Sequence, residues 1–182
     1  MLPELKRILV TTDFSQHAWL ALRYAAALCE LSKGKISIMH VMPELPKELD
    51  YTGGASLVYG YGPGYAGVPP IPPRMDSNDS KQREQRAREG RDKAEKMAKD
   101  HIQTMVLKFK SQEGTKLDWD KEPIVRIGNP VTSILDVVNS EGYDVLVMGR
   151  RGHGKLRGPR IGGVARTVLE RSPVPVLLVK KK

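Results

Sequence analysis

The chain has 182 residues, of which 40% are hydrophobic and 28% charged, and this balance predicts one globular domain spanning 1–182. No apolar run approaches the roughly 20 residues of a membrane-spanning helix, and the first six residues do not resemble a signal peptide. We therefore expect a cytoplasmic protein without a membrane partner. The formal net charge of +9 favours anionic partners, nucleotides and nucleic acids alike.

The chain opens with a strand and a helix joined by a tight turn. Residues 6–12 predict a strand, and Ser15 is a favourable N-cap for a helix that ends at Gly34. Asp13 would then lie at the carboxyl end of the first strand, where open parallel sheets bind ligands. The alternative is that Asp13 only caps the helix or bonds the turn.

Residues 35–41 predict a second strand that ends before Pro43. His40 near its end has no Cys, Asp or Glu at metal-ligand spacing, so a packed core residue is favoured and no protein metal site is expected. The single Cys29, in the first helix, is predicted to be a buried structural thiol.

The segment from about 43 to 80 departs most from a minimal fold. It is rich in Gly, Pro and Tyr and has neither a helical nor a strand period, which is typical of a long insertion. A lid over a ligand, a dimer arm and a Pro-rich docking segment are its functional alternatives, and a connection without a role is the fourth.

A charged helix is predicted over 81–112. Its apolar stripe consists of Ala87, Ala94, Met97, Ala98, Ile102, Met105, Val106 and Phe109. The basic opposite face is interpreted as solvated, because a nucleic-acid surface would interleave aromatic residues with the charges.

Residues 116–127 predict a third strand, with Trp119 packed at its start. The strand ends at the turn 128–130, in which Asn129 is expected to cap a helix over 131–140 and Pro130 to occupy its first turn. A fourth strand at 143–148, a short helix at 164–171 and a last apolar strand at 174–179 complete the pattern.

The most informative segment is the glycine-rich loop from Gly149 to Gly163. Glycines let backbone N–H groups point towards a ligand, and the following helix adds a partial positive charge. Full charges without an acid among them come from Arg150, Arg151, Lys155, Arg157 and Arg160. These features support the hypothesis of a phosphate-bearing small molecule at this loop.

Two phosphate-binding patterns do not fit this loop. A P-loop needs Ser or Thr after its Lys, but Leu156 follows Lys155. The dinucleotide pattern needs a third glycine where Arg157 stands. A solvated basic loop whose glycines only make turns stays an alternative.

The spacing of Gly149, Gly152, Gly162 and Gly163, followed by Val164, resembles the nucleotide-binding signature of the universal stress protein family. Members of that family that bind ATP hold its ribose and phosphates on this loop. The chain departs at Gly163, where nucleotide-binding members usually have Ser or Thr. A hydrogen bond to a charged group is worth about 1.5–3 kcal/mol, so the resemblance implies nucleotide binding that is weakened at this position.

Alternating strands and helices predict a parallel α/β sheet covered on both faces. The resemblance implies an open, Rossmann-like sheet of order 3-2-1-4-5, related to the adenine nucleotide alpha hydrolases, with strands 1 and 4 side by side. It also implies that Asp13 bonds the ribose and that the backbone of Val41 recognises adenine. The implied pocket comprises Thr11, Thr12, Asp13, Val41, Met148, Gly149, Arg151, Gly152, Gly162, Gly163 and Val164.

The function expected from these residues is a stress-response ligand or partner switch that binds ATP, or ADP or AMP, with any Mg²⁺ carried by the phosphates. Family members commonly pair through the last strand, so a homodimer is expected. We expect no enzymatic activity, because Asp13 is the pocket's only plausible general base. A slow ATPase and a nucleotide-independent interaction module that uses the insertion are the alternatives, and specific nucleic-acid binding is not expected.

Overall fold

The computed structural model describes residues 4–42, 80–114, 119, 122–152 and 161–181. The predicted insertion therefore lies outside the described residues except for Ser80, and so does the middle of the glycine-rich loop. The chain divides into two compact units, Met1–Pro43 with Ala98–Lys182, and Glu44–Met97.

The first unit contains a five-stranded parallel sheet. Its strands are β1 (Arg7–Thr11), β2 (Lys35–Met42), β3 (Ile124–Ile127), β4 (Val145–Gly149) and β5 (Val176–Val179). The helices of the described chain are α1 (Gln16–Ser32), α2 (Ser80–Glu113), α3 (Pro130–Glu141) and α4 (Gly163–Arg171). The strand order β3-β2-β1-β4-β5 confirms the predicted fold.

Helices cover both faces of this sheet. On one face, α1 and the second half of α2 bury Leu22 and Ile102 against Ile8 of β1. On the other face, α3 and α4 pack against Leu9 and its neighbours. Side chains of consecutive strand residues point to opposite faces, so β1 contributes to both apolar layers.

The helix ends follow the predicted capping residues. Ser15 Oγ accepts a hydrogen bond from the Ala18 N–H at 3.2 Å, and Asn129 caps α3 in the same way. The predicted N-caps are therefore confirmed. Cys29 is buried and its thiol donates to the Gly34 carbonyl, which confirms the expected structural thiol.

The apolar stripe of α2 is confirmed where it belongs to the first unit. Ala98, Ile102 and Phe109 are buried, and the Phe109 ring meets Trp19 edge-on at 5.5 Å between centroids. Of the second unit, the structure describes the part of α2 from residue 80 to 97. There the amide of the exposed Gln85 donates a hydrogen bond of 3.1 Å to the carboxylate of the exposed Glu89.

The third strand is shorter than the predicted 116–127. β3 begins at Ile124, and Trp119 forms a separate parallel bridge to Ile36. Pro123 has no N–H to donate to a ladder, which separates the bridge from the strand. Trp119 still packs against the apolar layer, as expected.

The last strand begins at Val176, two residues later than predicted. The Ser172 hydroxyl both donates to the Val174 carbonyl and accepts from the Val174 N–H, and this local turn ends α4. Among the described residues, no helix combines the length and apolarity needed to cross a membrane.

Candidate functional site

A cavity of about 320 Å³ opens at the carboxyl ends of β1 and β4. These strands are neighbours, with Ile8 opposite Val145 and Val10 opposite Val147. The chain leaves β1 towards β2 on one side and leaves β4 towards β5 on the other. Crevices at such a reversal of strand order are the usual ligand sites of open α/β sheets.

Every site residue named from the sequence lines this cavity. Five further lining residues were not predicted, and these are Ala18, Met39, Pro130, Ile134 and Ala165. Met39 could have been predicted as a lining residue, because it lies two residues before Val41 and so points to the same face of β2. Ile134 and Ala165 were recognisable only as core positions, since their helices are placed by tertiary packing.

The Asp13 carboxylate serves both the turn and the cavity. Its Oδ1 accepts a hydrogen bond of 3.0 Å from the Ser15 N–H, so the turn-bonding alternative is correct for that oxygen. Its Oδ2 faces Gly152 across the crevice, where a Cβ on Gly152 would overlap it. The Asp13 carboxylate therefore occupies the space that a side chain at residue 152 would need.

The described ends of the glycine loop lie against each other. The Gly162 N–H donates to the Arg150 carbonyl at 2.9 Å, and the Arg150 N–H donates to Val179 at 2.8 Å. A Cβ on Gly149 would lie 3.0 Å from the backbone of His17, so β4 ends tightly against the start of α1. Both ends of the loop are thus fixed to the sheet, while its basic residues 155, 157 and 160 lie outside the described ranges.

The N-terminus of α4 differs from those of α1 and α3. Asn129 Oδ1 accepts from both Val131 and Thr132 at the start of α3, whereas Gly162 gives α4 no side-chain cap. The first-turn N–H groups of a helix have no partner within the helix. Those of α4 belong to Gly163, Val164 and Ala165, which line the cavity. Such a helix start binds anions well.

The position of the missing hydroxyl is sterically open. A Cβ on Gly163 would meet nothing within 4 Å, and Gly163 is the first residue of α4. Arg151, half-buried, also lines the cavity. The described part of the site thus includes the amide donors of the helix start and a basic residue.

Residues of β2 form another wall of the cavity. The pairing of β1 with β2 ends at Thr11 and Met39, and the Thr12 N–H donates to the Met39 carbonyl at 2.8 Å. Backbone groups two residues apart on a strand point to the same side. The N–H and C=O of Val41 therefore lie past the end of β1, beside the cavity.

His40 is buried, with 2% of its surface exposed, which confirms the predicted packed core residue. Burial lowers the pKa of His40 below its ordinary value of 6.5, against the opposing effect of a hydrogen bond to Thr12. Within the described ranges, no three His, Cys, Asp or Glu side chains are grouped as metal ligands would be.

Fold and cavity together define an α/β protein with a crevice between the first and fourth strands of a 3-2-1-4-5 sheet. Residues 4–60 and 68–180 match the model of the Universal stress protein family, and the chain belongs to this family. The family predicted from the glycine spacing is thereby confirmed.

Individual relatives agree with the family assignment. The chain is 27% identical over 177 residues to Universal stress protein MJ0577 of Methanocaldococcus jannaschii, covering 97% of this chain and 96% of that protein. A solved structure of MJ0577 superposes with a TM-score of 0.64 at 22% identity, covering 99% of each chain. UspA from Lactobacillus plantarum gives a TM-score of 0.65 at 14% identity, covering 98% and 100%. The structural likenesses establish the shared fold.

Proposed function

We propose that this universal stress protein binds an adenine nucleotide, ATP first of all, in the crevice between β1 and β4. The observation that carries the proposal is the uncapped start of α4 facing the same cavity as the Asp13 carboxylate. Donors for phosphate and an acceptor for hydroxyl groups thus share one site. The volume of about 320 Å³ lies in the range of small-molecule pockets, about 300–1,000 Å³.

Each part of a nucleotide has a chemical counterpart in the cavity. The first-turn N–H groups of α4 and the Arg151 guanidinium would bind phosphate oxygens. Asp13 Oδ2 would accept hydrogen bonds from ribose hydroxyls. The base would lie against the apolar side chains of Met39 and Ile134, where the backbone edge of Val41 offers one donor and one acceptor.

The direct test is the nucleotide content of freshly purified protein. We expect acid denaturation to release adenine nucleotide at about one per chain, and we expect Mg-ATP to raise the melting temperature of the emptied protein by mass action. Protein that purifies empty and whose melting temperature does not move in millimolar Mg-ATP would contradict the proposal.

The nucleotide would act as a regulatory ligand whose binding stabilises one state of the protein, and not as a substrate. Support comes from the described lining, in which Asp13 is the carboxylate and one of its oxygens is already bonded to the turn. A time course of ATP loss in the wild type and in Asp13→Ala tests this point. Hydrolysis that disappears in the variant would favour a slow ATPase instead.

We also propose that two copies pair through β5. This strand ends the sheet order, so one of its backbone edges has no neighbouring strand within the described chain. Val176, Leu177 and Leu178 are only half-buried. A second copy would satisfy that edge. Light scattering over a range of concentrations should give twice the chain mass, and a monomer throughout would refute pairing.

A further inference from the structure

Three rings form a cluster at the loop that carries Asp13. The Phe14 ring contacts His40 of β2, at 4.7 Å between centroids, and His101 of α2, at 4.3 Å, and both pairs are tilted, at 47° and 39° between planes. None of the three residues lines the cavity. Phe14 directly follows Asp13 in the chain, and His40 directly precedes Val41, so the ring cluster lies next in sequence to two residues of the proposed nucleotide site.

The backbone of Phe14 is held in an unfavourable conformation. Its φ of 62° is in the left-handed region, which bulky residues rarely adopt. The Phe14 N–H donates to Thr12 Oγ1 at 3.0 Å, and the next N–H, of Ser15, donates to Asp13 Oδ1 at 3.0 Å. The turn at Phe14 and the orientation of the Asp13 carboxylate are therefore parts of one arrangement, which lies next to the ring cluster.

His40 also bonds this loop directly. Its Nδ1 lies 2.7 Å from the Thr12 carbonyl oxygen. A carbonyl oxygen only accepts hydrogen bonds, so Nδ1 carries the hydrogen and the neutral ring is the Nδ1–H tautomer. Nε2 is then a bare acceptor, and it is buried without a hydrogen-bond partner among the described residues.

Protonation of this ring is opposed by its surroundings. Burial, chiefly, and the nearby His101 lower the pKa of His40, while the bond to Thr12 and the charge of Asp13 raise it. Asp13 and His101 are the titratable groups of the described chain that act on it. The pKa of His101 is itself lowered by burial. The neutral Nδ1–H form is thus the one that the site maintains near neutral pH.

We infer that His40 is a positioning residue for the ligand site, acting through the Thr12 carbonyl and the Phe14 ring to hold Asp13 Oδ2 towards Gly152. The effect on nucleotide affinity rests on the proposed function, whereas the effect on the loop does not.

The test compares two substitutions of His40. The side-chain amide of His40→Asn places an N–H donor near the position of Nδ1, whereas His40→Leu keeps a similar volume and has no donor. Amide hydrogen exchange of Phe14 and Ser15 reports on the loop, and titration with Mg-ATP reports on affinity. Exchange at Val147, in the centre of the sheet, reports global opening.

We expect His40→Leu to speed exchange at Phe14 and Ser15 about fivefold to tenfold relative to Val147, and to weaken Mg-ATP binding by a similar factor. His40→Asn should restore most of both. Exchange that rises equally at Val147 would show a merely structural role and overturn the inference, as would unchanged exchange at the loop.

Two further readouts separate this inference from the proposed function. If the wild type binds no Mg-ATP but the loop amides respond as expected, the nucleotide proposal fails and the positioning role stands. Nitrogen NMR of His40 in the wild type gives an answer even where a variant does not fold. The Nδ1–H tautomer supports the inference, and the Nε2–H tautomer overturns it.

Discussion

Asp13 and Gly152 face each other across the crevice so closely that a Cβ on Gly152 would overlap Asp13 Oδ2. The carboxylate comes from the loop after β1 and the glycine from the loop after β4. The two loops meet here because β1 and β4 are neighbouring parallel strands. Because Gly152 is exposed, a substitution there can alter the site without changing the core.

We predict that Gly152→Ala weakens Mg-ATP binding by at least about tenfold. The new methyl group displaces the Asp13 carboxylate, and losing one hydrogen bond to a charged acceptor costs about 1.5–3 kcal/mol. Calorimetric titration measures the affinity, and urea unfolding measures the stability. We expect the latter to change by less than about 1 kcal/mol, since no buried side chain is altered.

The control is Gly163→Ala, in the same cavity wall. A Cβ at that position meets no protein atom within 4 Å, so this methyl group should leave the Asp13 carboxylate in place and weaken binding less than Gly152→Ala does. Equal losses in the two variants would mean that loop flexibility, and not the Asp13 contact, decides the effect of Gly152→Ala.

Gly163→Ser is predicted to tighten nucleotide binding. The substitution restores a hydroxyl at the first residue of α4, where the nucleotide-binding members that the chain resembles usually have one. A bond from this hydroxyl to a phosphate oxygen would be worth about tenfold or more in affinity. Gly163→Ala again serves as the comparison, because it adds the Cβ and the helix propensity without the hydroxyl. A serine variant no tighter than the alanine variant would place the phosphates elsewhere.

The glycine spacing, the strand ends and the family resemblance were enough to name eleven residues that line the cavity. Gly149 ends β4 and Asp13 comes two residues after the end of β1, and parallel strands bring such positions to one edge. The lining by Ile134 was not predictable in this way, because it depends on how α3 packs. The predicted start of β3 was wrong, since the strand begins at Ile124, directly after Pro123, which has no N–H to donate.

The positioning role inferred for His40 was also beyond the sequence. As a lone histidine in an apolar strand, it predicted only a packed core residue. Its partners lie far away in the chain, at Thr12, Phe14 and His101, and the left-handed backbone of a phenylalanine has no local signal. Such strain is recognisable only once the tertiary contacts that hold it are known.

We predict that the protein loses stability as the pH falls through about 6.5. The pKa values of His40 and His101 are both lowered in the folded state, so the unfolded chain binds more protons in this range. The free energy of unfolding therefore increases with pH, and the stability is lost from the ordinary value of 6.5 downwards until the folded pKa values are reached. Urea unfolding at several pH values between about 7 and about 5 measures the slope.

The double variant His40→Asn and His101→Gln should flatten this slope, since neither replacement titrates. His17→Gln is a comparison, because it removes a histidine that does not belong to the ring cluster of Phe14, His40 and His101. A slope that persists in the double variant would assign the pH dependence to other groups.

The last prediction concerns Ser37, in the middle of β2 opposite Leu9. Its side chain is 0% exposed, and its hydroxyl has no hydrogen-bond partner among the described residues. A buried hydroxyl without a partner loses its bond to water on folding, so Ser37→Ala should raise the free energy of unfolding by about 1 kcal/mol.

Ser172→Ala is the matched comparison, because the Ser172 hydroxyl bonds both the N–H and the carbonyl of Val174. We expect that variant to lose about 1 kcal/mol. Urea unfolding of both variants decides the matter, and destabilisation by Ser37→Ala would mean that the hydroxyl is satisfied in solution by a buried water.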